Sequence, residues 1–188
     1  MTTVILDGLV CLFAIGILGT HVWSMQCHFD VDVKNMPRGM NLLSLLALVS
    51  MLAMTVLTFA GPQPVAAQFI GFLMLLASAL LFWAAIRESS RAGLFAAFDE
   101  KLPGSLLQTG PYSYVRHPFY TSYLLLWTGW AIATWNGWAL VPLAAIYLAY
   151  WLAASGEERK FASTPMAGEY ADYARRTGRF FPKLFGRG

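Results

Sequence analysis

The sequence predicts an all-α polytopic membrane protein with about five transmembrane helices, the last two forming a short helical hairpin followed by a cytoplasmic helical tail. Three observations carry that prediction. Of the 188 residues, 57% are hydrophobic and 12% charged, whereas soluble domains carry about a quarter charged residues. Five apolar runs approach the length that crosses a hydrocarbon core of about 30 Å. And when those runs are threaded back and forth, all 13 Lys and Arg fall on one side, which is the positive-inside asymmetry.

The first span is Val4–Trp23, with Asp7 and His21 near its ends, where water is expected within reach. It lacks a basic leader, and Asp7 stands where one would be, so it is expected to remain as a span. Leu42–Phe59 and Val65–Ile86 are uncharged and joined by Gly61-Pro62-Gln63-Pro64, which allows only an antiparallel turn. Arg87, Glu88 and Arg91 are expected to extend span three by a turn, Glu88 offsetting the i,i+4 repulsion of the arginines. Leu94–Phe98 reads as an apolar patch at the interface, and Pro103-Gly104 and Gly110-Pro111 break regular structure.

Pro118 suits the first position of span four, where an N–H would have no helical partner. It also pushes His117 out of helical conformation, which puts that residue beside a helix N-terminus whose free N–H groups favour an anion. Spans four and five, Phe119–Trp135 and Trp138–Ala154, have 17 residues each. They turn at Asn136-Gly137, expected to supply the left-handed conformations of a tight turn. Pro142 lies early enough in span five to start or kink it. The tail from Glu157 to Tyr173 has helical character interrupted at Thr164-Pro165 and Gly168, and Phe180-Phe181-Pro182 could fold back onto the apolar rim.

With the N-terminus outside, the inner segments Met25–Met40, Arg87–His117 and Ser155–Gly188 hold 2, 4 and 7 Lys and Arg, and the outer segments none. The polar half is therefore expected to face the cytoplasm, and brevity and composition suggest a bacterial inner membrane. A single membrane domain, 1–188, is expected: three N-terminal spans over 1–86 and the chemistry-bearing half over 87–188. Cys11 and Cys27 form no Cys-x-x-Cys and read as small apolar side chains, so no metal is expected. Met25, Met36, Met40, Met51 and Met54 read as gap-fillers. The net charge of +3 suits anionic headgroups rather than nucleic acid. Transport is the least supported role, since the spans show no charge pairs.

The chemistry gathers around Gly110-Pro111-Tyr112-Ser113-Tyr114-Val115-Arg116-His117-Pro118-Phe119-Tyr120 and, past the hairpin, Glu157-Glu158 and Glu169-Tyr170, Tyr173 and Arg179-Phe180-Phe181-Pro182. An antiparallel hairpin brings both groups to one membrane face. Taken singly, Arg116 and Lys160 read as snorkelling anchors, and Glu157 and Glu158 as partners of Arg159 or Arg175. Taken together, they read as a pocket.

In order, spacing and intervening hairpin, these residues resemble the isoprenylcysteine carboxyl methyltransferase family of integral membrane methyltransferases, whose superfamily includes phospholipid methyltransferases. The resemblance covers roughly Leu106 to Pro182. It implies a site for S-adenosylmethionine built without a Rossmann domain, lined by Leu106, Leu107, Tyr112, His117, Pro118 and Tyr120 from the loop and by Glu157 and Glu158 from the tail. Aromatic faces suit adenine, a carboxylate suits ribose hydroxyls, and a sulfonium tolerates aromatic and anionic neighbours. It also implies a lipid or lipophilic acceptor, with Arg87, Glu88, Tyr150, Trp151 and Arg179 as candidates for holding it. Trp127, Trp130, Tyr147, Tyr150 and Trp151 are tunnel candidates, although packing is the plainer reading of each.

Two positions depart from the family pattern. Ser122 stands where glycine is common, which implies a wider helix contact. Ala153 stands where carboxyl methyltransferases keep an arginine for the acceptor carboxylate, which weighs against that acceptor unless Arg87, Arg91 or Arg179 substitutes. Lipid amines and small lipophilic thiols or hydroxyls then stand beside it. An ammonium acceptor must also lose a proton, for which Glu88, Glu158 and His117 are unranked candidates. The catalytic group and the oligomeric state are not legible. Two rivals stand apart: an NADPH-dependent membrane reductase and a non-catalytic membrane ligand-binding protein.

Overall fold

The computed structural model describes residues 2–27, 38–91 and 106–183. The expected patch Leu94–Phe98, the break at Pro103-Gly104, Met36, and the side chains of Met25 and Cys27 lie outside that description. Within it the chain is all-helical: α1 (Thr2–Cys27), α2 (Arg38–Thr58), α3 (Val65–Arg91), α4 (Pro118–Thr134), α5 (Leu140–Ala162) and α6 (Ala167–Arg176), with 3-10 turns at Gly110–Ser113 and Gly137–Ala139.

Among the described residues, four helices are long and apolar enough to cross a membrane: α1, α2, α3 and α5, the last together with its preceding 3-10 turn. The fifth long helix, α4, has 17 residues, of which 12 are buried. It is the interior helix of the bundle. Trp127, Trp130 and Leu126 on α4 are enclosed completely or nearly so, together with Phe82 and Leu75 from α3, Met54 from α2 and Ile146 from α5. Trp127 and Trp130 stack at 6.0 Å, and the Trp130 indole donates to Thr58 Oγ1 at 3.1 Å. These two tryptophans belong to the core, the plainer of the two readings. Large side chains on the outer helices, such as Leu12, Val56, Phe69 and Leu148, stay exposed where lipid would cover them.

The closest partner of α4 is α3. A Cβ on Gly71 would stand 2.4 Å from the Gly129 carbonyl oxygen and 2.7 Å from Ala133 Cβ. Such small residues let two backbones touch where lipid offers no hydrophobic drive for association. About two helical turns on, the Ser78 hydroxyl donates to the Ser122 carbonyl at 2.6 Å. Ser122 is fully buried and turns its own hydroxyl back to Phe119 O. The Ser122 hydroxyl is therefore satisfied within its own helix, and its carbonyl is tied to α3.

Span three does extend through Arg87, Glu88 and Arg91, with Arg91 Nη1 3.8 Å from Glu88. Pro118 does open α4, and His117 is non-helical at φ −124° and ψ 66°. Three expectations need correction. The left-handed residue of the α4–α5 turn is Trp135, at φ 47°. Asn136 is extended and instead accepts a hydrogen bond from Trp138 N at 3.0 Å. Gly168 does not interrupt a helix but sits in the first turn of α6, and α5 runs through Glu157 and Glu158 to Ala162. Asp7 and His21 are buried rather than water-reachable, at 4% and 7% exposure. The rotation of α1 turns both inward, and Gln68 Nε2 donates to Asp7 at 2.5 Å.

Candidate functional site

The tail docks onto the loop before α4 through backbone first. Arg116 N donates to Gly178 O at 2.8 Å, His117 N to Arg179 O at 3.2 Å, and Gly178 N to Tyr114 O at 3.2 Å. This short parallel pairing holds Val115 against Gly178. A Cβ at Gly178 would fall 1.6 Å from Phe181 O, so the tight return of the tail admits only glycine there. The Thr121 hydroxyl, one turn into α4, donates to Phe180 O at 3.0 Å.

Side chains then close the cluster around Glu158. Its Oε1 accepts from Arg116 Nε at 2.9 Å and Arg179 Nε at 3.1 Å, and lies 3.2 Å from His117 Nε2. Its Oε2 takes Arg179 Nη2 at 2.5 Å. Arg116 also donates from Nη1 to Ala174 O at 3.2 Å and Thr177 O at 2.6 Å, covering carbonyls that α6 leaves without helical partners. Arg179 donates further to Ser155 Oγ at 2.9 Å, and its guanidinium lies 4.2 Å from the Trp151 ring centre. This is a charge-assisted network with its hydrogen-bonding capacity well used.

Glu157, the next residue back on α5, has a different setting. Its Oε1 accepts from the Tyr120 hydroxyl, and its Oε2 lies 3.3 Å from His117 Nδ1. Its side chain is 32% exposed against 15% for Glu158, so one carboxylate of the pair keeps an open edge while the other is enclosed by cations. Burial alone would lower the His117 pKa, but hydrogen bonds to Glu157 and Glu158 outweigh it and raise the value above its ordinary 6.5. The anion beside the α4 N-terminus is thus the chain's own carboxylate pair.

An aromatic wall runs inward from this mouth. His117 and Tyr120 stack at 5.5 Å, Tyr120 meets Tyr150 at 5.2 Å, and Tyr123 meets Tyr150 at 5.4 Å. On the loop side, the Tyr173 hydroxyl donates to Tyr112 O at 2.6 Å. Burial pushes the Tyr173 phenol up to about 12 and raises Tyr112 still further, so both stay protonated donors at neutral pH. Thr109 donates to Glu88 at 2.5 Å, which holds the end of α3 against the loop.

The structure brings His117, Tyr120, Glu157, Glu158 and Arg179 into one cluster, with Pro118 buried beneath it and Tyr150 and Trp151 bordering it. Leu106, Leu107 and Tyr112 are half-buried in the approach, Glu88 touches that loop, and Arg87 points to the exposed side of α3. Arg116 departs from the anchor reading: its side chain is 11% exposed and faces Glu158. Arg175 pairs with Asp172 rather than with either glutamate. The sequence signal for Arg116 was its position directly before His117, on a segment that cannot be helical. An open groove of about 430 Å³ lies on the lipid side of the cluster, lined by Tyr147, Leu148, Trp151, Arg179, Phe180 and Phe181. Among the described residues no three His, Cys, Asp or Glu side chains gather to hold a metal ion.

A stretch of 80 residues is 36% identical to the cobalt-zinc-cadmium resistance protein CzcN of Cupriavidus metallidurans, over 43% of this chain and 37% of that protein. The chain thus spans well under half the length of that curated relative. The phospholipid methyltransferase family matches residues 66–165, which take in all of α3 but its first residue and the whole of α4 and α5, together with the His117 and Glu157-Glu158 positions. More than half of the chain carries that match, and the protein belongs to the phospholipid methyltransferase family of membrane methyltransferases.

Proposed function

We propose that the protein transfers a methyl group from S-adenosylmethionine to an amine-bearing lipophilic acceptor at the cytoplasmic face of a bacterial inner membrane. The observation that carries this reading is the contrast within the Glu157-Glu158 pair. Glu157 keeps a more open carboxylate between the His117 and Tyr120 rings, while both guanidiniums of the cluster, Arg116 and Arg179, are turned to Glu158. That donor set fits the cofactor: a carboxylate for ribose hydroxyls, aromatic faces for adenine, and an anionic, aromatic surround for a sulfonium. Glu157, His117 and Tyr120 would hold it, with Tyr112, Leu106 and Leu107 forming the approach and Pro118 lying beneath. Glu158 fits that role poorly, because its oxygens already accept from two guanidiniums, and we assign it to scaffolding.

Bound S-adenosylmethionine supplies an activated methyl group, so the protein's task is alignment and exclusion of water. The same inventory bears on the acceptor. A carboxylate acceptor wants a free guanidinium, but Arg116 and Arg179 are committed to Glu158 and position 153 is alanine. Tyr120, Tyr123 and Tyr150 instead offer a cluster of π faces beside Glu157, which suits a cationic or incipiently cationic nitrogen. The lipid-side groove gives an acyl chain a place to lie. His117 lies between the two carboxylates, whose hydrogen bonds raise its pKa above the ordinary 6.5, which weighs against it as the base for an ammonium acceptor. The committed arginines also weigh against a reductase that must bind a 2′-phosphate.

The deciding experiment is calorimetric titration of the purified protein with S-adenosylhomocysteine, with Glu157→Ala as control, followed by transfer of labelled methyl groups to phosphatidylethanolamine. Saturable binding that the variant loses, plus label in the lipid, is expected. Folded protein that binds nothing would overturn the reading. Binding without transfer to any membrane lipid would favour a non-catalytic ligand-binding protein.

A further inference from the structure

His21 has no part in the cluster at the mouth. It sits on α1 with 7% exposure, and among the described residues its Nε2 has no hydrogen-bond partner. Its ring lies 4.4 Å from the ring centres of both Phe82 and Tyr123. A phenylalanine would pack there equally well without leaving a polar atom unpaired in an apolar interior, which costs free energy. An ionisable side chain kept inside a span is a functional-site indication in its own right. Its surroundings point to what it serves. Tyr123 leads to Tyr120 at 6.3 Å and to Tyr150 at 5.4 Å, and Tyr120 donates to Glu157. One aromatic wall therefore joins the unpartnered nitrogen to the open carboxylate. α1 lies outside the residues matched by the family, 66–165, so His21 is supplied by a part of the chain that the family match does not cover.

We propose that His21 is the inner polar end of the acceptor pocket: Nε2 accepts a hydrogen bond from an N–H of the acceptor's headgroup once that headgroup lies against Tyr123. This rests on the methyltransferase reading and adds an acceptor-binding residue to it. It also implies a preference for acceptors that still carry N–H bonds over fully methylated ones.

The test uses the full chain, labelled with ¹⁵N-histidine, in nanodiscs of phosphatidylethanolamine or of phosphatidylcholine, whose headgroup nitrogen has no N–H. S-adenosylhomocysteine is present in both. The chain has three histidines, so the imidazole signals can be assigned with His21→Phe and His117→Asn. The His21 Nε2 resonance is expected to move upfield in phosphatidylethanolamine alone; identical spectra in the two lipids, with S-adenosylhomocysteine bound, would overturn the proposal. Kinetically, His21→Phe should raise the acceptor KM roughly tenfold, the size of one lost hydrogen bond, while S-adenosylhomocysteine affinity holds and His21→Gln recovers most of the loss. An unchanged KM, or an equal loss of S-adenosylhomocysteine affinity, would make His21 a packing residue and end the idea. If His21→Phe does not fold, the lipid comparison on the unaltered protein decides. Unaltered protein that binds no S-adenosylhomocysteine would instead sink the methyltransferase reading, and this inference with it.

Discussion

Arg116 and Arg179 donate their Nε–H groups to the same oxygen of Glu158, at 2.9 and 3.1 Å. One arginine precedes α4 and the other follows α6, so a single carboxylate on α5 ties the loop and the tail to the hairpin between them. Removing that carboxylate leaves two guanidiniums mostly enclosed and unpaired. Glu158→Gln should destabilise the protein by about 3 kcal/mol, the scale for breaking a buried ion pair from one side. Thermal unfolding in detergent checks this, with Arg175→Ala as the contrast. Arg175 is largely exposed and pairs only with exposed Asp172, so its loss should change stability by under about 0.5 kcal/mol. Equal effects would contradict the assignment of Glu158 to scaffolding.

Glu157 should separate from its neighbour in the opposite way. Its carboxylate is more exposed and less enclosed by cations, so Glu157→Gln should unfold within a degree or two of the parent. Its S-adenosylhomocysteine affinity, however, should fall at least tenfold. Tyr120→Phe deletes the hydroxyl that donates to Glu157 and should cost about 1 kcal/mol of that affinity, a factor of about five. Paired calorimetry and melting curves read both quantities. Loss of stability without loss of affinity in Glu157→Gln would reassign the residue.

The pH dependence of stability should carry the signature of His117. Its folded pKa is raised above 6.5, the carboxylates Glu157 and Glu158 outweighing burial. The folded state therefore holds the proton more tightly than the unfolded chain. Its contribution is complete below about 6.5 and is lost as pH rises through the folded pKa. Unfolding free energy should fall with pH across that window and level off above it. Denaturant titrations from pH 5.5 to 9 should show this slope in the parent and a flatter profile in His117→Asn. A slope of the opposite sign would mean that burial, not the carboxylates, governs the imidazole.

Much of this was legible in the sequence, and what was not has a common cause. The spans follow from apolar runs, the α4 start follows from Pro118, and the Tyr120–Glu157 juxtaposition follows from two motifs flanking a short hairpin. Rotation about each helix axis was hidden. A span that is apolar all round carries no amphipathic stripe to say which face turns inward. Asp7 and His21 were accordingly placed in water although they face the bundle, while Trp127 and Trp130 are buried in the core, as the plainer reading of each had it. Arg116 looked like an anchor because its partner lies in α5, and sequence spacing alone does not pair the two.

The closeness of α3 and α4 gives the last prediction. Gly71 and Gly129 face each other so tightly that a Cβ on either would stand under 3.0 Å from backbone of the opposite helix. Neither backbone can yield without shifting its helix, and α4 carries both Tyr120 and the residue before it in the wall, Tyr123, on a neighbouring turn. Gly71→Val should therefore destabilise the fold by about 1–3 kcal/mol, the usual penalty for forcing bulk into a packed site. It should also weaken S-adenosylhomocysteine binding, because displacing α4 moves Tyr120 away from Glu157. Gly8→Ala is the matched control: its added Cβ would meet nothing within 4 Å, and an alanine in a helix is at least as favourable as glycine. Melting temperature and ligand affinity should fall together in Gly71→Val and stay level in Gly8→Ala. A Gly71→Val protein of parental stability would mean that α3 and α4 can part without consequence, and that the interior position of α4 does not depend on this contact.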